Sequence, residues 1–167
     1  MGGSTVHHLL KQQYDLIRST REALFVFLES IPLRDLQAPV SGFGSGSIIK
    51  TYIHVADCYL YWLGAFALRQ HDFSFASDHE VTNSDVQRVR DRFELVNETV
   101  DHFLQVYHSK WDAHVQNHVR WQETPITTTP LWLLTHTETH EFHHKGQIVA
   151  MARQLGYVPP DTDLVLG

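Results

Sequence analysis

The chain has 167 residues, enough for one domain that buries about two-thirds of the surface its unfolded form exposes. Its 13 Lys and Arg against 19 Asp and Glu give a formal charge of −6 with no basic run, which argues against nucleic acid as a partner. A lone cysteine, Cys58, rules out an internal disulfide and fits a reducing cytoplasm, and no stretch reaches the roughly 18 uninterrupted apolar residues of a membrane span.

The start, MGGSTVHH, shows neither a signal-peptide profile nor, with Val6 where Ser or Thr is needed, a myristoylation pattern, and Met1 to Thr5 read as a disordered start or expression remnant without function. The first helix is predicted from about His7 to Ser30, with Leu10, Tyr14, Ile17, Arg21, Leu24 and Leu28 at three-to-four spacing and Pro32 as its stop. SGFGSGS, residues 41 to 47, then reads as a flexible connection whose Ser47 caps a second helix, Ile48 to about Gln70. The core stripe of that helix is Ile49, Ile53, Ala56, Leu60, Leu63 and Ala67.

A third helix is predicted from Asn83 or Ser84 to about Ser109, with Val86, Val89, Phe93, Val96, Val100, Phe103 and Tyr107 along one side. Trp111 to Thr129 reads as an extended loop, with Val115 to Gln122 as at most a short extended piece, because Thr and Pro resist helix continuation. Thr129 and Pro130 form the cap and first position of a last helix, Leu131 to Leu155, which Gly156 ends. Four amphipathic helices without a convincing strand, internal repeat or domain boundary predict a single all-α domain, a four-helix bundle spanning residues 1–167.

The last helix carries the chemistry. At about 100° per residue, His136, His140, His143, His144 and Gln147 project within roughly 100° of arc. Two imidazoles at i and i+4 can grip one metal ion, and His140-Glu141-Phe142-His143-His144 matches the H-E-x-x-H pattern of zinc peptidases. The peptidase reading fails downstream: no glutamate follows Glu141, and the positions where the longer pattern needs Gly and His hold Gln147 and Ala150. His54 on the second helix, beside the apolar stripe, is the better source of a third ligand from across the bundle interior.

His54 within IIKTYIHVADCYLYWLG, the HEFHHKGQI run and the closing LGYVPPDTDL together resemble the DinB/YfiT-like family of bacterial metal-binding four-helix proteins over essentially the whole chain. The resemblance implies that His54, His140 and His144 hold one divalent transition metal, zinc or nickel foremost, with iron or manganese as alternatives, and that His136 and His143 stay outside its ligand set. It implies an up-down-down-up helix order and frequent homodimers. Tyr59 departs from the pattern, standing where many relatives have an acid.

Three neutral imidazoles with a vacant position suit chemistry more than scaffolding. Several relatives in that family transfer low-molecular-weight thiols to electrophiles, so the resemblance implies a thiol or an electrophile as small-molecule partner. In that picture the loop after the third helix shapes the acceptor pocket. Metal-dependent hydrolysis and a non-enzymatic metal-responsive module are the alternatives.

Among the supporting residues, Glu141 reads as a general base or as a surface partner of Lys145, and Gln147 as a hydrogen-bond partner of a ligand or of bound water. Asp57 could orient His54 or be exposed. Gly146 implies the close approach of another helix. Tyr61, Trp62 and Trp132 read as core or pocket wall, Cys58 as a buried inert thiol, and His7, His8, His71, His79, His102, His108, His114 and His118 as mostly solvated.

Overall fold

The computed structural model describes residues 2–43 and 46–164. Its elements are α1 (Gly2–Glu29), α2 (Leu33–Leu36), α3 (Ile48–Tyr59) continued by a π-helical segment (Leu60–Ala67), α4 (Asp78–Thr82), α5 (Val86–Val106), β1 (Val115–Val119), β2 (Gln122–Thr128) and α6 (Pro130–Gln154). The chain is thus mostly helical, with one antiparallel hairpin. The predicted helices are present, and their local signals explain where they start. Ser47 Oγ accepts from the Lys50 amide, Asp85 from Arg88 and Thr129 from Trp132, each satisfying a donor that the first turn leaves without a partner. Gly156 closes α6 at φ +91°, a left-handed conformation that costs glycine nothing.

The predicted stripes face inward. Ile49, Ile53, Ala56, Leu60 and Leu63 from the second helical stretch meet Val89, Phe93, Val96, Val100 and Phe103 of α5, all of them buried. Phe93 packs edge-on against Phe25 and tilted against Tyr52, with ring centroids 5.7 and 4.9 Å apart. Burying such a ring stabilises the fold by about 2–3 kcal/mol. Pairs run in opposite order along α1 and α5 (Tyr14 to Asn97, Glu22 to Arg90) and along α3 and α6 (His54 to His140, Cys58 to His136). They run in the same order along α3 and α5 (Asp57 to Arg92, Ala67 to Tyr107) and along α1 and α6 (Gln13 to Glu138, Arg21 to Glu141).

Four expectations are corrected. The first helix begins at Gly2, ahead of His7, so the start of the chain is helical rather than disordered; Met1 and residues 44 and 45 of the predicted connection lie outside the described residues. The stretch read as a loop forms the β1–β2 hairpin, whose register pairs Val115 with Thr128 and Val119 with Gln122, and whose Val115 and Val119 are buried. The third helix is shorter at both ends, running Val86–Val106 from the Asp85 cap to Tyr107, and a separate α4, opened by a Ser77–Glu80 capping box, precedes it. The second helix changes pitch after Tyr59: the Leu68 amide donates to the Leu63 carbonyl at 3.0 Å, five residues back. Within that wide turn Gly64 makes room for Gln70, whose Oε1 would lie 2.6 Å from a Cβ there and would have to swing aside. Arg69, at φ +57°, ends the segment, and its guanidinium donates to the Gln116 carbonyl of β1 at 2.9 Å, tying the hairpin to the helix.

Candidate metal centre

The α3–α6 contact brings His54, His140 and His144 together, with one ligand-type nitrogen from each inside 4.8 Å of the others. His54 Nε2 and His140 Nε2 are 3.2 Å apart. Two imidazole nitrogens on one tetrahedral ion, each bonded at 2.0–2.1 Å, stand about 3.3 Å from one another, so this spacing fits a shared cation. His144 is oriented by Gln147: its Nδ1 donates to the amide oxygen at 2.7 Å, which leaves Nε2 as the free lone pair. The amide nitrogen of Gln147 in turn reaches His143 Nε2 at 3.2 Å, so one side chain braces two histidines.

Contrary to expectation, the cluster does not sit in the bundle interior. His54 is exposed, and His136, His140 and His144 are half-buried, so the cluster opens to solvent. Burial nevertheless suffices to keep the rings neutral. It lowers the pKa of His54, His144 and His136, and it lowers that of His140 to about 3, helped by the positive charge its histidine neighbours would bring. Neutral imidazoles are what a cation needs, and the donor set present fits a divalent transition metal.

One turn along, a second grouping forms from Cys58, His136 and His140, again with ligand atoms within 4.8 Å. Cys58 Sγ lies 4.0 Å from His136 Nε2, and burial, with Asp57 nearby, pushes the thiol up to about 12. His136 is clamped by aromatic rings. Trp132 stacks on it at 4.9 Å and 3°, and Trp62 meets it edge-on at 5.5 Å. Trp62 also contacts Trp121 of the hairpin turn, which contacts Tyr61. Trp121 and Trp132 are half exposed, and together with Trp62 and Tyr61 they form an aromatic wall beside the histidines. Trp132 comes from α6, while Tyr61 and Trp62 come from the π-helical segment and Trp121 from the hairpin, two features that helical periodicity does not reveal.

Glu141 lies elsewhere, and both readings made for it are corrected. It is fully buried, its Oε1 and Oε2 accept from Arg21 Nε and Nη2 at 2.8 Å each, and Tyr59 donates to Oε2 at 2.8 Å. Burial alone would raise its pKa, but the guanidinium outweighs that and holds it below the usual carboxylate range. A carboxylate so engaged is not a free base, and it is not at the surface. Nor is Lys145, which is buried, donates to Thr20 Oγ1, lies over the Phe142 ring and is lowered to about 8 by burial. Tyr59 therefore serves this polar layer in place of any acid.

Asp57 does not orient His54. Its Oδ1 accepts from Arg92 Nε at 2.6 Å and its Oδ2 from the Ala76 amide at 3.1 Å, while burial pushes its pKa up. Gly146 is not a point of close approach, because a Cβ built there meets nothing within 4 Å. Of the remaining histidines, His7 is fixed by a 3.1 Å contact with the Leu104 carbonyl rather than solvated. No helix is long and apolar enough to cross a membrane among the described residues.

Residues 3–166 match the model of the DinB family, nearly the full length of the chain. Among curated proteins none matches it.

Proposed function

The chain belongs to the DinB family, and from that premise we propose that it is a metal-dependent enzyme that joins a small thiol to an electrophile at the His54–His140–His144 cluster. The observation that carries this reading is the pairing of three neutral, convergent imidazoles on a solvent-open face with an exposed aromatic wall one turn away. Zinc or nickel is the proposed ion; when bound, it would supply the Lewis acidity that keeps a thiol as thiolate near neutral pH. His54, His140 and His144 would hold it, and Gln147 keeps His144 in the tautomer that presents Nε2.

The aromatic wall gives an electrophile with a flat or apolar body a surface to lie on. Trp132, Trp62 and Trp121 can stack against it while Tyr61 closes the far side. The balanced reaction forms a carbon–sulfur bond. With an aryl halide the halide leaves with the bonding electron pair, with an activated double bond the pair moves to the neighbouring carbon, and the thiol proton goes to solvent or to that carbon. Hydrolysis at the same cluster, with Glu141 or a free histidine as base, loses the first of these, because Glu141 is fully engaged by Arg21 and Tyr59, and would rest on His136 or His143.

The order of the interhelical pairs supports the up-down-down-up four-helix bundle within the same reading. A cytoplasmic homodimer completes it, to be checked by solution mass. The activity is tested by incubating the zinc- or nickel-loaded protein with a panel of small thiols and either an aryl halide or an activated alkene. Thioether formation that is abolished by chelator and in both His54→Ala and His144→Ala is the expected result. Formation that continues at the same rate in those variants, or no adduct from any pair, overturns the reading.

A further inference from the structure

The antiparallel contact of α3 with α6 sets up a ladder of metal-binding side chains. On α3, His54 and Cys58 are four residues apart; on α6, His136, His140 and His144 follow at the same interval. Because four residues are about one helical turn on each rod, moving one turn along both regenerates the same triangle of ligand atoms. The first rung is His54, His140 and His144; the second is Cys58, His136 and His140. His140 belongs to both.

We propose that the second rung is a distinct ion position, of two imidazoles and one thiolate, that takes a strongly thiophilic cation such as cadmium or cuprous ion in place of the ion on the first rung. The geometry is close to that of a loaded site. Bond lengths of 2.3 Å to sulfur and 2.0–2.1 Å to nitrogen put the two donor atoms about 3.6 Å apart around a tetrahedral ion. The 4.0 Å between Cys58 Sγ and His136 Nε2 therefore needs to shrink by only a few tenths of an ångström.

His136 is held for the purpose. Its ring is fixed between Trp132 and Trp62, so little side-chain freedom remains to be lost on coordination. Cys58 makes no closer polar contact than the one to His136 among the described residues. Coordination releases the thiol proton to solvent and leaves the sulfur as thiolate. Soft sulfur distinguishes this rung from the all-nitrogen rung, so the choice of ion selects the position. His140 offers a ligand to both rungs, so the two positions compete for it and are filled alternately. A thiophilic ion would then draw the cation toward the aromatic wall and away from His54 and His144.

Cobalt(II) reports the difference, because a thiolate ligand adds a charge-transfer absorption in the near ultraviolet that imidazole does not. His54→Ala, a change at an exposed residue, leaves only the second rung. It is expected to bind one cobalt per chain with that absorption, and His54→Ala combined with Cys58→Ser is expected to lose both. Wild-type protein titrated with cadmium should show thiolate-to-cadmium absorption that disappears in Cys58→Ser and in Cys58→Ala, with circular dichroism confirming that each variant is folded. Cobalt bound by His54→Ala or cadmium bound by wild type without any thiolate band, or no ion bound by His54→Ala, overturns the proposal. Either result leaves the thioether assay of the first rung standing, and failure of that assay leaves these spectra unaffected, so the two readings fall separately.

Discussion

The two faces of α6 solve opposite problems with neighbouring residues. His140 and Glu141 are adjacent in sequence, yet the first belongs to a half-open row of imidazoles and the second to a sealed polar layer under the bundle. On the sealed side Glu141, Arg21 and Tyr59 satisfy one another, Tyr14 donates to Asn97 Oδ1 at 2.8 Å, and Gln13 donates to Glu138 at 2.5 Å. On the open side His54 Nε2 faces His140 Nε2, and Cys58 faces His136 at the limit of contact. The sealed face pairs most of its polar groups with one another, with Glu138 Oε1 left without a partner among the described residues. The open face brings imidazole and thiol groups from two helices to the spacing of metal ligands, the arrangement of a binding site.

The largest effect on the open face should come from the residue common to both rungs. His140→Ala removes a ligand from each, and with three ligands sharing the roughly 10–16 kcal/mol of a bound zinc, losing one should weaken affinity by about a thousandfold. Because His140 is only half-buried, the metal-free protein should melt close to wild type. Calorimetric zinc titration alongside thermal melting checks both parts. An affinity within tenfold of wild type would mean that the ion is held by other residues.

The sealed face should respond in the reverse way. Arg21→Met strands the Glu141 carboxylate without its partner and should destabilise the protein by about 3–5 kcal/mol, with zinc affinity unchanged. Replacing both, Arg21→Met with Glu141→Leu, should recover most of that loss, since the desolvation cost of each charge disappears with it. The pH dependence has a definite sign. Glu141 titrates below the usual range in the folded state, so its contribution is full above the ordinary carboxylate value near 4.5 and is lost as the pH falls through its folded value. Denaturant melts of wild type and of the double variant should therefore converge on the acid side. If Arg21→Met instead abolished zinc binding in a fully folded protein, the two faces would not be separate.

How much of this was legible follows from what periodicity can carry. The α6 histidines were placed on one face by counting at 100° per residue, and Ser47, Thr129 and Gly156 announced their helix ends through cap chemistry that acts locally. Arg21 already stood in the apolar stripe of the first helix, and Glu138, Glu141 and Lys145 share the side of α6 opposite the histidines. A buried arginine demands a buried acid, so the sequence carries a signal for this layer. The π-helical segment left no such trace, because Leu60 to Ala67 is apolar at nearly every position and its pitch is set by packing on α5 and the hairpin. The hairpin was equally hidden: Pro125 and the threonines of β2 read as loop, and the strand pairing that overrides them is a contact between segments.

A smaller effect tests the brace between the faces. Gln147→Ala removes the acceptor of the His144 Nδ1–H and the contact to His143, and should lower zinc affinity by about 10- to 100-fold, the usual cost of losing a hydrogen-bond partner of a ligand. Stability without metal should change little, because Gln147 is only partly buried. Zinc competition with a chromophoric chelator gives the number. No change would mean that His144 does not need its tautomer fixed, and would weaken its place among the ligands.

The smallest expected effect lies between the two faces, at Gly146, flanked by buried Lys145 and bracing Gln147. Glycine inside a helix costs about 1 kcal/mol relative to alanine, because the unfolded chain gives up more backbone freedom to form it. A tight contact would justify that cost, but a Cβ here meets nothing within 4 Å in the single chain. Gly146→Ala should therefore stabilise the protein by about 0.5–1 kcal/mol and raise the melting temperature by about 1–4 °C, with zinc affinity and the Gln147 brace intact. The opposite sign would be informative in a different way. If the substitution lowers the melting temperature and shifts the solution mass from dimer toward monomer, the space around Gly146 is occupied by a second chain, and the open face of α6 lies next to the dimer interface.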